Sequence, residues 1–183
     1  MATPVEQRVI FPVQAEGLLR GLGADVSPRL KATLKALDLD PDNEFPPAWP
    51  AERLRAWLDA ASDDIYQDLP REEAHRRIGR RFIDGWQRTL IGAASAQFLK
   101  VIGPRRALER LTRAFRTGDN FSQSSVTFPG DTVALVTLNT QSLPDYIAGI
   151  LDGGLALLGV QGRVTIERVA GDDMDFRVEW EKR

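Results

Sequence analysis

A long cationic segment with helical spacing is the feature that most constrains this chain. Residues 71–118 contain twelve of the 24 Lys and Arg residues but only four of the 26 Asp and Glu residues, in a chain whose net charge is −2. Apolar residues at helical intervals predict one buried stripe along this segment, made of Ile78, Phe82, Trp86 and Leu90. The segment therefore predicts long helices that bury one side and expose cations on the other. Such a surface attracts an acidic surface or an anionic group, in the same chain or on a partner.

The sequence on either side of this segment predicts the fold class. Ser27 and Pro28 form a helix start, and leucines at intervals of three and four predict an amphipathic helix over residues 28–38. Further along the chain, SSVTFPG and DTVALVTLN predict one β-hairpin, RVTIERVA and MDFRVEW predict a second, and PDYIAGILDGGLALLG predicts a helix between them. We therefore expect an α+β fold, with an antiparallel sheet of two hairpins covered by helices on one face. Residues 1–69 are expected to form a helical N-terminal extension packed on a main domain of residues 70–183.

The composition excludes several kinds of functional site. Cysteine is absent and His75 is the single histidine, so disulfides, thiolate catalysis, iron–sulfur clusters and multi-histidine metal sites are excluded. The acidic pairs Asp63-Asp64 and Asp172-Asp173 lack a third carboxylate at the spacing of a calcium or magnesium loop. We therefore expect a protein that is not an enzyme and that needs no cofactor or metal. The apolar runs are too short for a signal peptide or a membrane span, which predicts a cytoplasmic protein.

Four motifs carry a resemblance to a known family. EGLLRGLG, SPRLKATLKALDLD, PREEAHRRIGRRFIDG and GPRRALERLTRAFRTGDNFS, which fall within residues 10–125, resemble a myxobacterial paralogous family of unknown function. The motifs are long and specific in sequence. Because the function of the family is unknown, the resemblance implies almost nothing about biochemical activity.

A looser resemblance covers residues 71–181. The order of elements there, ending in a helix, RVTIERV, a turn and DFRVEW, is similar to vinyl-reductase-type ligand-binding domains, which share a fold with Golgi tethering small subunits and haem nitric-oxide sensors. This resemblance implies a small-ligand-binding fold with a role in signalling. The turn AGDDMDF lacks the cysteines that often hold zinc in vinyl-reductase-type domains. The chain also lacks the Tyr-x-Ser-x-Arg string that accompanies the proximal histidine of the haem sensors, so the sequence gives no support for bound metal or haem.

Two functions are consistent with these observations, and both depend on the cationic segment. In the first, an apolar cleft under the long helix binds a small apolar or anionic ligand, and its occupancy changes a partner-binding surface. The expected ligand-binding residues are Phe82, Trp86, Phe115, Arg113 and Arg116. In the second, the protein is a ligand-free dimeric adaptor that docks acidic protein partners. The expected partner-binding residues are Arg76, Arg80, Arg105, Arg106 and Arg110.

Three further interpretations stay open at this point. The arginines could pair with the acids of the linker LDPDNEFPPAWPAE and of the AGDDMD turn, or form a solvated helix face. The loop RTGDNFSQSS either lines the mouth of the cleft or forms a helix C-cap and turn, which we favour. A homodimer also stays open, whereas the pI of about 5.5 argues against nucleic-acid binding. His75 is interpreted as a surface or half-buried residue near Glu72 and neighbouring arginines, because a single ligand without partners makes a poor metal site.

Overall fold

The computed structural model describes residues 3–182 as seven α-helices and six strands. The helices are α1 Pro12–Leu22, α2 Pro28–Ala36, α3 Arg53–Ile65, α4 Arg71–Trp86, α5 Leu90–Leu108, α6 Leu111–Phe115 and α7 Pro144–Leu157. The strands are β1 Val9–Ile10, β2 Trp49–Pro50, β3 Gln123–Gly130, β4 Val133–Asn139, β5 Gly162–Ala170 and β6 Asp173–Trp180. None of the helices within the described part of the chain has the length and apolar character needed to cross a bilayer.

The sheet confirms the predicted fold class. Its four strands lie in the order β3-β4-β6-β5, and every neighbouring pair is antiparallel. The two predicted hairpins are therefore joined through β4 and β6. Met174, Phe176 and Val178 alternate along β6 and are buried, because α7 packs against β5 and β6 on that face. The fold is thus α+β, with an antiparallel sheet of two hairpins whose apolar face is covered by helices.

Helix α4 is the central helix, with α1 on one side and α7 on the other. Glycines allow these close contacts. A Cβ atom at Gly79 would lie 2.1 Å from the backbone oxygen of Tyr146 in α7, and one at Gly85 would lie 2.0 Å from that of Gly17 in α1. Any larger residue at either position would have to push two helix backbones apart. These glycines therefore set the distance at which α4 packs.

The predicted buried stripe ends earlier than expected, at Trp86. Thr89 begins a new helix, since its Oγ1 accepts a hydrogen bond from Gly92 N at 3.0 Å and donates one to Trp86 O at 2.8 Å. The chain changes direction there, and Leu90 is 89% exposed. Helix α5 then bends at Gly103, which has φ 77° and precedes Pro104. The prediction that Leu90 continues the buried stripe is wrong, because the helix does not continue.

One hydrophobic core joins residues from Ile10 to Trp180. It includes Leu18 of α1 and Trp57 of α3 from the N-terminal part, together with Tyr146 of α7 and Phe176 of β6. The predicted N-terminal helices are present and packed on the rest of the chain. The division of the chain between residues 69 and 70 stays a prediction.

Candidate functional site

A cavity of about 120 Å³ lies among α4, α5, α6 and α7. Its wall is mostly apolar and includes Phe82 and Trp86 of α4, Leu99 of α5, Phe115 of α6 and Leu151 of α7. The three aromatic residues expected to bind a ligand are therefore brought together around one space. Helices α1 and α3 also reach the cavity, through Val13, Gln14 and Leu54.

The polar side chains of the cavity come from two connections and from α1. We use "polar end" for this set, which consists of Gln14, Thr117, Asp119, Thr140, Gln141 and Ser142. Thr117 and Asp119 belong to the α6–β3 connection, and Thr140, Gln141 and Ser142 belong to the β4–α7 connection. A hydrogen bond of 2.8 Å between the hydroxyls of Ser122 and Thr140 joins the two connections. The cavity therefore combines an apolar wall with one group of polar side chains.

Asp119 anchors the first of these connections. It is 3% exposed, and its carboxylate accepts hydrogen bonds from Phe121 N at 2.9 Å, Ser122 N at 2.7 Å and Ser122 Oγ at 2.6 Å. Burial raises the pKa of the Asp119 carboxyl, while the hydrogen bonds from Ser122 and Phe121 act in the opposite direction. The sequence left two roles open for this loop, a helix C-cap and turn or a lining of the cavity. Asp119 has both roles, since its side chain holds the turn and also lines the cavity.

Gln141 and Ser142 differ from Asp119 because each has a buried polar atom without a partner. Neither Gln141 Oε1 nor Ser142 Oγ makes a hydrogen bond to any described residue. The sequence analysis did not find these two residues. Two polar residues between a strand and the Pro144 helix start are typical of an exposed loop, so the sequence holds no signal that a polar atom of each is buried.

The cations predicted at the rim of the cavity lie outside its lining. Arg113 and Arg116 are exposed on and just after α6. The Arg116 guanidinium donates a hydrogen bond to the backbone oxygen of Asn120, so it supports the α6–β3 connection. Among the described residues, the cavity lining contains no Lys or Arg side chain.

The arginines predicted to bind a partner separate into two groups. Arg76 and Arg80 both donate to Asp152 of α7, with Nε–Oδ2 distances of 2.8 and 3.0 Å. Arg76 also donates to Val164 O at 2.7 Å. Arg76 thus joins α4 to both α7 and β5, and Arg80 joins α4 to α7. Their shared acid lies in α7, and not in the linker or the AGDDMD turn where the sequence suggested internal partners.

The second group lies on the surface. Arg105, Arg106 and Arg110 are exposed around the end of α5. Arg105 lies over the ring of Phe128 and Arg110 over that of Phe98, at 4.2 and 5.5 Å from the ring centroids. Exposed apolar residues accompany them on α5, namely Leu90, Ile91, Phe98 and Val101. We call this set of exposed cations and apolar residues the α5 surface.

His75 is buried away from the cavity. It is 5% exposed, and its Nε2 lies 3.2 Å from Asp59 Oδ1 on α3. Burial lowers the pKa of His75, and the nearby Asp59 carboxylate opposes that shift. The described residues contain no cluster of His, Asp or Glu that could hold a metal ion. His75 therefore lies between α3 and α4, more deeply buried than the surface or half-buried position expected from the sequence, and with Asp59 as its neighbour.

Solved structures with a similar fold include several H-NOX domains. A doubly substituted Tt H-NOX aligns with a TM-score of 0.70 and 14% identity, covering 93% of this chain and 92% of that one. An oxygen-binding H-NOX domain related to soluble guanylate cyclases, in its oxygen complex, aligns with a TM-score of 0.67, 14% identity and the same coverage. A mutant of T. tengcongensis H-NOX aligns with a TM-score of 0.61 and 16% identity, covering 92% of this chain and 94% of that one. The TM-scores show a shared fold at low sequence identity, which confirms the predicted resemblance to the fold of haem sensors.

A family model also matches most of the chain. The model described as "Protein of unknown function (DUF2378)" matches residues 8–181. The match confirms the predicted resemblance to a family of unknown function. It also extends beyond the four motifs, because it includes both hairpins and α7.

Proposed function

The chain belongs to this family of unknown function, and we propose from its own geometry that it is a small-ligand-binding module of a signalling system, without enzymatic activity. The observation that carries the proposal is the apolar cavity, whose wall joins Phe82, Trp86 and Phe115 from α4 and α6. The similarity in fold to an oxygen-binding H-NOX domain supports it. Ligand occupancy would act on α5 and α6, which form one wall of the cavity and carry the α5 surface on their outer side. The cytoplasmic location expected from the sequence stays a prediction.

Haem does not fit this cavity. One neighbouring structure concerns haem distortion in the H-NOX family, so the fit of haem has to be tested on the residues present. Among the described residues, the lining contains no His, Cys, Met or Tyr side chain that could ligate iron. It also contains no Lys or Arg to pair with the two carboxylates of haem. We therefore propose a ligand much smaller than haem. An apolar cavity of about 150 Å³ holds a benzene molecule, and this cavity is slightly smaller, at about 120 Å³.

The proposal is tested by measuring whether the cavity binds a small apolar probe. We expect p-xylene to raise the Tm of the purified protein by about 2 °C at a few times its Kd. Gly154→Leu should abolish this shift, because Gly154 lines the cavity and a Cβ atom there would meet nothing within 4 Å. Ala156→Leu, at an exposed position of the same helix, is the matched control and should keep the shift.

Native mass spectrometry of protein purified from its own host is the second readout. A retained small molecule that is absent from the Gly154→Leu variant would identify the natural ligand. The proposal fails if p-xylene gives no shift in the wild-type protein and no molecule is retained.

The α5 surface favours a second candidate function, docking of an acidic protein partner. Leu90 and Val101 are 89% and 85% exposed, and exposed arginines follow them along the chain. Apolar side chains bordered by cations suit a partner that offers apolar contacts within an acidic surface. Arg76 and Arg80 are not part of this proposal, because both are bound to Asp152.

Charge reversal separates the two candidates. The triple change Arg105→Glu, Arg106→Glu and Arg110→Glu should abolish capture of an identified acidic partner and leave the p-xylene shift intact. A control triple change at exposed arginines elsewhere, Arg29→Glu, Arg55→Glu and Arg163→Glu, should leave capture unchanged. If both triple variants lose partner capture equally, the effect of charge is nonspecific and the docking proposal is overturned.

A further inference from the structure

The unpartnered atoms at the polar end indicate which group the ligand carries. Gln141 Oε1 and Ser142 Oγ are both buried and have no hydrogen-bond partner among the described residues. Leaving a buried polar atom unpaired costs roughly 1–3 kcal/mol. Two adjacent residues in the lining of one cavity carry such an atom, and Leu or Ala in their places would avoid the cost. The pair is thus better explained by a ligand than by the stability of the protein.

The chemistry of these two atoms requires a ligand group that donates a hydrogen bond, and a hydroxyl can satisfy both atoms at once. Gln141 Oε1 is an acceptor and requires a donor, whereas Ser142 Oγ can donate or accept. A single hydroxyl can donate to the glutamine oxygen and accept from the serine. A carbonyl or ether oxygen would leave Gln141 Oε1 unpaired.

The charges around the polar end argue against an anionic ligand. Asp119 contributes a buried carboxylate to the same lining. Among the described residues of that lining there is no Lys or Arg, so nothing would offset the cost of burying a second negative charge. Asp119 does not attract a cation strongly either, because hydrogen bonds from Phe121 and Ser122 already occupy its oxygens.

We propose that the cavity binds a neutral apolar molecule with a hydroxyl group, an alcohol or a phenol, with the hydroxyl held by Gln141 and Ser142 and the apolar body against Phe82, Trp86 and Phe115. This inference rests on the proposed ligand-binding function and narrows it. It replaces the wider expectation of an apolar or anionic ligand with one chemical class.

Three probes of similar shape test the proposal by calorimetric titration. p-Xylene is apolar, p-cresol replaces one methyl group by a hydroxyl, and p-toluate carries a carboxylate. We expect p-cresol to bind and p-toluate to show no binding. In the double variant Gln141→Leu and Ser142→Ala, the affinity for p-cresol should fall about tenfold, which corresponds to about 1.4 kcal/mol. The affinity for p-xylene should stay the same or increase.

The thermal stability of the ligand-free double variant provides the control for a structural role. Because the variant removes two unpaired buried polar atoms, its Tm should equal or exceed that of the wild type. A lower Tm together with equal losses for p-cresol and p-xylene would show that the residues only support the fold, and would overturn the inference.

The outcomes distinguish this inference from the proposed function. If none of the three probes binds, the proposed function fails. If p-xylene binds but p-cresol is insensitive to the double variant, the cavity is real and the hydroxyl assignment is wrong. Binding of p-toluate more tightly than p-cresol would likewise overturn the assignment and restore an anionic ligand.

Discussion

The two longest helices, α4 and α5, share one cationic segment but are held in the fold in different ways. Helix α4 lies between α1 and α7, with glycines at its contacts and with Arg76 and Arg80 bound to Asp152. Helix α5 has few contacts with the other helices, and four of its apolar residues are exposed. By sequence α5 is the more apolar of the two helices and α4 is the more highly charged, so apolar content alone would predict the reverse arrangement. The glycines that permit backbone contact and the distant acid that neutralises the arginines distinguish the buried helix from the peripheral one.

This comparison assigns different tasks to the two helices. Helix α4 contributes Phe82 and Trp86 to the wall of the cavity, and it is held in place by α1, which packs on it and also reaches the cavity. Helix α5 contributes Leu99 to a wall whose outer side is the α5 surface. A ligand in the cavity therefore lies between a fixed helix and a weakly packed one. Any structural response to the ligand is expected on the α5 side, because local stability falls where there are few buried contacts.

The largest difference in stability between α4 and α5 is expected when one apolar residue in each helix is truncated to alanine. Ile78 of α4 is 0% exposed and Val101 of α5 is 85% exposed. Ile78→Ala should lower the free energy of unfolding by about 2–5 kcal/mol, because it leaves a cavity in the core. Val101→Ala should change it by no more than about 0.5 kcal/mol. Both values are measured by urea denaturation, and similar losses in the two variants would show that α5 is packed as firmly as α4.

Glycine replacement tests the close contact between α4 and α7. We expect Gly79→Ala to destabilise the protein by about 3 kcal/mol, because the new Cβ atom would meet the backbone of α7. Gly154→Ala is the matched control, since a Cβ atom there meets nothing within 4 Å, and it should stabilise the protein by up to about 1 kcal/mol through helix propensity. A neutral Gly79→Ala variant would contradict the proposed role of this glycine.

Local signals in the sequence were enough to predict most elements of the fold. Ser27 caps α2 as expected, with its Oγ 3.0 Å from Leu30 N, and both hairpins form where the alternation predicted them. The break between α4 and α5 was missed because the four-residue spacing continues across it to Leu90. The signal for that break is Thr89, whose side chain caps the next helix. The two sequence signals disagree at this point, because the N-cap residue Thr89 predicts a new helix and the apolar spacing predicts that α4 continues. The structure has the new helix.

The site could be predicted only in part, for a physical reason. Phe82, Trp86 and Phe115 were found because large apolar residues on helices are expected to face a common interior. Gln141 and Ser142 were not found, because burial of a polar loop depends on the packing of distant elements. The same holds for Arg76, whose partner Asp152 is 76 residues away. Tertiary contacts of this kind decide which polar residues bind a ligand, which stabilise the fold and which remain exposed.

Neutralising one acidic partner of the α4 arginines and one of the α5 arginines tests whether the two groups contribute differently to stability. Asp152→Asn weakens the pairs with both Arg76 and Arg80, and the Asp152 side chain is only 14% exposed. We expect a loss of about 2 kcal/mol in the free energy of unfolding, as is typical for partly buried hydrogen bonds to charged groups. Glu109→Gln removes an exposed acid 3.9 Å from Arg105 and should cost less than about 0.5 kcal/mol. Equal effects at the two sites would mean that the arginines of α4 are no more structural than those of α5.

The smallest effect is expected from the pH dependence of His75, which connects α4 to α3. Burial lowers the pKa of His75 below its usual value of 6.5, so the folded state favours the neutral imidazole. As the pH falls through 6.5, the histidine of the unfolded chain takes up a proton before the folded one does. The folded protein should therefore lose stability as the pH falls below about 6.5, and the loss ends at the lower pKa of the folded state.

His75→Gln isolates this contribution from the many carboxylates that also titrate in acid. The difference in unfolding free energy between wild type and variant should be constant well above pH 6.5 and should move against the wild type as the pH falls below 6.5. The opposite direction would mean that the Asp59 carboxylate, 3.2 Å from Nε2, outweighs burial and that α4 and α3 are joined by a charged pair. Burial is the stronger effect if α4 is packed as tightly as its glycines indicate, so this titration also tests how firmly α4 is enclosed.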